Sequence, residues 1–251
     1  MGGGATGIGH ATAEQLARAG HRVVITGRRA EALDAAAARL RERTGATVHT
    51  LVNDVSDPDA AEAALSEVES RYGVLDILVL NAGGPPPGRI LGVDDKQWQE
   101  AFELLLLGPL RLARLALPRM AERGFGRLVF VTSAAVRQPQ PDLAASVVLR
   151  SAVVAAAKLL SREFAAEGVT VNCVAPGATA TERRRQILDS RAQAAGSSHD
   201  ELDAEDTASI PAGRAGHPDE IGAAVAFLAS ASASYVNGTV LTVDGGRTEA
   251  V

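Results

Sequence analysis

Several residue types that carry chemistry or constrain a fold are scarce in this sequence. The single cysteine, Cys173, stands in an apolar run (VTVNCVAPG), which excludes an intramolecular disulfide framework and points to a reducing, cytoplasmic setting. Only two tyrosines (Tyr72, Tyr235) and two lysines (Lys96, Lys158) are present, so chemistry that needs a phenol or a primary amine has few sources. No apolar run reaches the ~20 residues of a membrane-spanning helix. Neither sign of charge dominates, the net value being −5, and no basic cluster spans a predicted face. The densest basic stretch, Arg183-Arg184-Arg185, reads as a solvated helix face rather than a nucleic-acid surface. No His/Cys/carboxylate group has metal-ligand spacing. The opening MGGGATGIG has neither the basic start nor the apolar middle of a signal peptide. It matches the myristoylation pattern Met-Gly-x-x-x-Thr, which arises easily in any glycine-rich start.

What is present is a regular alternation of strand-like and helix-like segments. Ile8 to Ala19 has helical periodicity and stops at Gly20. RVVIT (22–26) reads as a short buried strand, followed by an alanine-rich helix to about Thr44. ATVHTLV, LDILVL, RLVFVT, VTVNCVA and GTVLTV are the later strand-like runs. Between them, Asp57-Pro58 has the pattern of an N-cap and first helical residue. Asp94 with Gln97 forms a capping-box pattern opening a helix through Leu104 to Leu107 and on to about Arg123. Further helices span about 143–167 and begin near Pro218. Strands separated by helices require right-handed parallel crossovers, hence an α/β fold with a doubly wound, mostly parallel sheet in three α/β/α layers. No break in composition divides residues 1–251, so one domain is expected. The polar, irregular stretch 178–213 is too long for an ordinary connection and reads as an active-site lid.

Gly3-x-x-x-Gly7-Ile8-Gly9 lies directly before a helix, where small residues let the backbone approach a pyrophosphate and free amides favour its charge. With Asp54-Val55, Asn81-Ala82-Gly83, Ser133, Pro176-Gly177 and the closing VDGG, it makes six motifs in one order. Across essentially the whole chain these resemble the short-chain dehydrogenase/reductase family, which implies a Rossmann-type nucleotide-binding fold. By that resemblance, Gly3, Thr6, Gly7, Ile8 and Gly9 hold the pyrophosphate, Asp54 and Val55 the adenine, and Asn81 and Gly83 lie beneath the adenosine ribose. Pro176 and Gly177 belong to the same cofactor set, with Thr181 at the carboxamide. The family's acidic position after the second strand is Gly27 here, and Arg28 and Arg29 follow. A cation at that place suits a 2′-phosphate, so NADP(H) is expected over NAD(H).

The catalytic side departs from the pattern. Reductases of this family use a serine, a tyrosine, a lysine four residues after the tyrosine, and an asparagine in the preceding helix. Ser133 matches the serine. Counting thirteen positions on from Ser133, or thirty back from Pro176, reaches Ser146 in place of the tyrosine. Arg150 then stands for the lysine, and Leu105 for the asparagine. Neither tyrosine nor lysine of the chain lies where it could take over the lost role. Ser146 is a far weaker acid than tyrosine, whereas Arg150 stays cationic, can bond a nicotinamide ribose and can stabilise developing negative charge. Asp142 reads as a turn residue or N-cap, and His199 as a surface residue of the lid. The NAGGPPPG loop together with Ser-x-x-x-Arg is similar to a divergent branch of the family related to β-ketoacyl carrier-protein reductases.

Two functions follow as expectations. One is an NADP(H)-dependent oxidoreductase of a small carbonyl or alcohol, with Ser133, Ser146 and Arg150 as its catalytic groups and an altered proton route. The other is a catalytically silent nucleotide-binding protein or partner subunit. The resemblance also implies a homotetramer, or next a homodimer, built on the helices near 95–122 and 143–167. Finally, the family's first strand, central between 22–26 and 75–80, is expected to have no residues here. Open strand edges cost on the order of 1–3 kcal/mol for each buried unsatisfied group, so an upstream start is expected for the natural chain.

Overall fold

A computed structural model describes residues 1–250. Strands and helices alternate: α1 (Gly7–Arg18), β1 (Val23–Gly27), α2 (Ala30–Thr44), β2 (Val48–Val52), α3 (Ala60–Tyr72), β3 (Ile77–Leu80), α4 (Asp95–Phe102) and α5 (Gly108–Glu122). Then follow β4 (Gly126–Val131), α6 (Ala144–Glu163), β5 (Val169–Pro176), α7 (Glu182–Ala195), α8 (His199–Ala208), α9 (Pro218–Ala229) and β6 (Val240–Val243). Every strand pair is parallel. β4 and β5 are buried at every residue, as central strands covered on both faces must be. One core packs α1, α2 and α9 onto one face of the sheet, around Leu16, Leu33, Ile25 and Ile221. The other packs α3, α5 and α6 onto the opposite face, around Leu65, Leu117, Phe130 and Val153.

The sheet falls into two runs, β1–β2 and β3–β4–β5–β6, and the first two residues of the chain join them. The Met1 amine donates to the Val24 carbonyl (2.8 Å), and Thr26 N–H donates to the Met1 carbonyl (2.9 Å). On the other side Gly2 N–H donates to the Val79 carbonyl (3.0 Å). The expected first strand is therefore not wholly absent: Met1 and Gly2 form its last two positions. Beneath Met1 the space between β1 and β3 stays open. It runs into the cleft at the carboxyl ends of the strands as one cavity of about 980 Å³.

Three other expectations need correction. Residues 178–213 are not irregular, because α7 and α8 fill most of them, capped by Thr181 and by a Ser198–Glu201 capping box. Arg184 of α7 pairs with Asp203 and Asp206 of α8, so ion pairs replace the apolar stripe that sequence periodicity detects. Asp57-Pro58 does not open α3; Asp57 Oδ1 accepts from Asp59 N–H in a preceding turn, and the helix starts at Ala60. Finally, α6 does have the length and apolar content of a membrane span, but it lies on the sheet with Val153 and Ala157 buried in the core.

The Asp94–Gln97 capping box forms as expected, but the helix it opens is not uniform. Glu103–Leu107 is a π-turn, closed by the Gly108 N–H on the Glu103 carbonyl. Pro109 lacks the N–H that an α-helix would give to the Leu105 carbonyl, and the wider turn accommodates this.

Enclosure lowers the Met1 amine from 8.0 to about 6. Between these values the unfolded chain binds more protons than the folded one, so stability rises with pH from about 6 to about 8. Two pH units correspond to on the order of 2–3 kcal/mol. Burial lowers His10 and His49 too, so the check is a comparison of urea unfolding between the free and Nα-acetylated chains. The acetylated chain should lose the amine's share of the rise, and identical pH profiles would refute the assignment.

Candidate active site

The glycine-rich loop leaves Gly2 and turns into α1 at Gly7. Gly7 has φ 54°, a left-handed conformation that other residues resist. At Gly9 an added Cβ would stand 2.1 Å from the Gly3 carbonyl oxygen, so the loop closes onto the helix only because that side chain is absent. Thr6, the N-cap, makes no capping bond with its side chain, and the first turn of α1 carries no acid. The first-turn amides of α1 thus have neither a side-chain cap nor an acid beside them, the condition that favours an anion at a helix start. Thr181 lies against this loop, its methyl 3.3 Å from where a Cβ on Gly7 would be. Asn81 holds the loop from β3, its Nδ2 donating to the Gly2 carbonyl (3.2 Å).

Gly3, Thr6, Arg28, Arg29, Asp54, Val55, Asn81 and Gly83 all line the same cavity. Arg28 and Arg29 are exposed at the end of β1. Arg29 is the N-cap residue of α2, and its side chain makes no capping bond. Burial pushes the Asp54 carboxyl up. Its hydrogen bonds from Ser56 N–H and Oγ and the nearby Arg28 charge outweigh that and hold it below the usual range. Ser56 is a supporting residue that the sequence reading missed; the Asp-x-Ser spacing of an Asx turn was its signal. At Gly27 an added Cβ would meet only the Leu33 side chain, at an ordinary 3.6 Å. An acidic side chain would fit there, so its absence is chemical rather than steric. These features fit a phosphorylated dinucleotide.

The catalytic candidates gather after β4 and at the start of α6, and they are not among the residues that line this cavity. Ser133 follows β4 and is half-buried; its Oγ accepts from Ala135 N–H (3.2 Å). Ser146 and Arg150 lie one turn apart on α6, and Arg150 Nε donates to Ser146 Oγ (3.2 Å). The other guanidinium nitrogens donate to the Val131 carbonyl at the end of β4 (2.7 Å) and, more weakly, to the Ala82 carbonyl beyond β3 (3.4 Å). Burial lowers this guanidinium to about 10, which still leaves it charged at neutral pH. Arg150 is thus a charged tie between two strand ends. Leu105 sits within the π-turn, in one apolar cluster with Ala145 and Leu149.

Other groups are excluded by position. Tyr72 stacks on His49 with ring centroids 4.0 Å apart, and Tyr235 is fully exposed. Lys158 donates to the Gly238 carbonyl, and Lys96 is an exposed partner of Glu100. His199 pairs with Asp189 within the lid helices. Asp142 does not cap α6; it pairs with Arg191 of α7, while Arg183 donates to the Pro85 carbonyl (2.8 Å). These two contacts tie α7 to the proline loop and to the loop before α6, and they were not legible from local sequence.

Known proteins share this fold. The sequence profile described as enoyl-(acyl carrier protein) reductase matches residues 3–248. The 3-oxoacyl-(acyl-carrier-protein) reductase FabG of Escherichia coli K12 is 34% identical over 244 residues, 97% of this chain and 94% of that protein. The corresponding reductase MabA of Mycobacterium avium is 34% identical, over 97% of this chain and 87% of its own. Among solved structures, L-sorbose reductase from Gluconobacter frateurii, complexed with NADPH and L-sorbose, superposes with a TM-score of 0.94. It is 30% identical and covers 100% of this chain and 96% of its own. An actinorhodin polyketide ketoreductase with NADPH gives the same score at 32% identity, over 99% and 95%. Fold, nucleotide loop and sequence identity agree over the full length, and the chain belongs to the short-chain dehydrogenase/reductase family of oxidoreductases.

Proposed function

We propose that the protein is an NADP(H)-dependent oxidoreductase of a small carbonyl or alcohol substrate, with a proton route that does not pass through a tyrosine. The observation that carries this reading is the enclosed Arg150 guanidinium, bonded to Ser146 and to the carbonyls at the ends of β3 and β4. When bound, the dinucleotide supplies or accepts a hydride. Gly7, Ile8 and Gly9 would hold its pyrophosphate through their amides, Arg28 its 2′-phosphate, and Thr181 its carboxamide. Ser133 orients the substrate oxygen by its hydroxyl. Arg150 stabilises negative charge gathering on that oxygen without giving up its own proton, and Ser146 Oγ, held by Nε, relays a proton from water. The proton's ultimate source is solvent, because the aromatic hydroxyls and amines of the chain lie elsewhere.

One observation favours a second reading, a nucleotide-binding protein without turnover: all three Arg150 nitrogens already have partners, two of them structural. For assembly we propose a homotetramer, next a homodimer, in the cytoplasm. Exposed Phe102 on α4 and Val148 on α6 support an apolar contact through those helices.

Three measurements test this. In stopped flow, NADPH mixed with protein and a panel of ketones and aldehydes should be oxidised by at least one substrate. The rate should be flat from about pH 6 to 9 and fall through about 10, as Arg150 loses its proton. No oxidation with any substrate would establish the silent reading instead. The combined Ser146→Tyr, Arg150→Lys, Leu105→Asn variant restores a positioned acid and should raise the rate by about 10²–10⁴-fold. Activity appearing only in that variant would also count for the silent reading. For the cofactor, Gly27→Asp should weaken NADPH binding by about tenfold or more, the loss of on the order of 1–2 kcal/mol at the 2′-phosphate, while sparing NADH. Fluorescence titration measures both, and equal weakening of the two nucleotides would refute the role of this position.

A further inference from the structure

Two guanidinium groups and two carboxylates join α7 and α8 to the turn that follows β6. Arg184, in the first turn of α7, gives one nitrogen to Asp203 of α8 and another to Asp206 at 2.7 Å. The second oxygen of Asp206 pairs with Arg247 Nη2 (2.9 Å). Asp206 is the shared member, with α7 on one oxygen and the turn after β6 on the other. The side chains of Arg184, Asp206 and Arg247 are 15%, 17% and 25% exposed, so solvent screens these bonds less than it does a surface pair. Arg184 Nε is buried without a partner, so the two carboxylates alone fix this guanidinium. Burial raises the Asp206 carboxyl, but the bonds from Arg184 and Arg247 outweigh that and hold it below the usual range. Both ends of the cluster reach residues already described. Arg184 also donates its backbone N–H to Thr181 Oγ1 (3.2 Å), and the Thr181 methyl lies by Gly7 of the nucleotide loop. After β6, Asp244 accepts from the N–H groups of Gly246 (3.0 Å) and Thr248 (2.8 Å), and Glu249 N–H donates to Gln138 Oε1 (2.9 Å) in the loop after Ser133.

We propose, on the NADP(H) reading above, that Asp206 is a positioning residue for the carboxamide end of the cofactor. It acts through Arg184, which sets the place of the Thr181 hydroxyl, and through Arg247, which fixes the turn after β6. Thr181 Oγ1 accepts from the Arg184 N–H and gives its own proton to the Thr179 carbonyl at a long 3.3 Å, a weak bond that a carboxamide oxygen can replace. The hydroxyl therefore stands wherever the first turn of α7 stands. Without the Asp206 charge, Arg184 keeps only Asp203, whose side chain is 41% exposed. An enclosed guanidinium with an unpartnered Nε and one carboxylate fewer turns toward water, and it carries the first turn of α7 with it. Capping of α7 alone needs no more than the Thr181 hydroxyl and the Arg184 N–H. The doubly shared carboxylate adds a tie between that cap and the loop after Ser133, which carries the substrate-orienting hydroxyl.

The test titrates the full chain with NADPH and with 2′-phospho-ADP-ribose, which keeps the pyrophosphate and the 2′-phosphate but carries no carboxamide. Asp206→Asn should weaken NADPH by about tenfold and leave 2′-phospho-ADP-ribose within about twofold. In a Thr181→Ala background the same substitution should cost NADPH no further affinity, since the path to the carboxamide is already cut. Without nucleotide, Asp206→Asn should speed hydrogen exchange at the Arg184 amide by about tenfold. If that variant fails to fold, Arg247→Gln removes only the tie to the turn after β6 and should show the same selectivity at about threefold. Equal weakening of the two nucleotides, no weakening of either, unchanged exchange at Arg184, or losses that add to those of Thr181→Ala would overturn the role of Asp206 and leave the cofactor reading standing. Binding of neither nucleotide to the unchanged chain would overturn both.

Discussion

Two residues hold the two halves of the sheet together. Met1 and Gly2 are the only described backbone that bonds to both β1 and β3, and the nucleotide loop begins at the next residue. Loop position, the start of α1 and the depth of the cleft therefore all hang on three or four hydrogen bonds at the start of the chain. Each contributes on the order of 1 kcal/mol net, so this is a thin connection for a domain of this size. The helices on either face compensate, because α1 is clamped by α9 and α2 in a continuous apolar core.

At the opposite end of the strands Arg150 performs a comparable joining role. A lysine in its place would offer one small charged head, but the guanidinium reaches the ends of β3 and β4 and Ser146 together. The guanidinium is held rigidly by these bonds and stays charged at neutral pH. Leu105, within the π-turn, adds an apolar contact with Ala145 and Leu149 nearby.

The layers, the strand alternation and the nucleotide loop were legible because they depend on local, periodic features: apolar runs, glycines before a helix, the Asp94–Gln97 box. Arg28 and Asp54 could be placed on one cleft because motif order fixes strand order. What could not be read depends on long-range pairing. The lid helices carry almost no apolar period, since Arg184 with Asp203 and Asp206 holds them together, and polar composition alone resembled a loop. The Arg191–Asp142 and Arg183–Pro85 contacts join residues 49 and 98 positions apart. The strand remnant escaped notice because two residues give no periodicity; only the partners of Met1 and Gly2 reveal it.

The contacts of α7 carry a consequence for its response to salt. Arg191 and Asp142 are each only partly buried, so their attraction is screened by salt, and the Arg183 bond to Pro85 lies at the surface. The tie between α7 and the loops before α4 and α6 therefore loosens as ionic strength rises, while the buried Leu188 and Ala192 keep the helix itself on the fold.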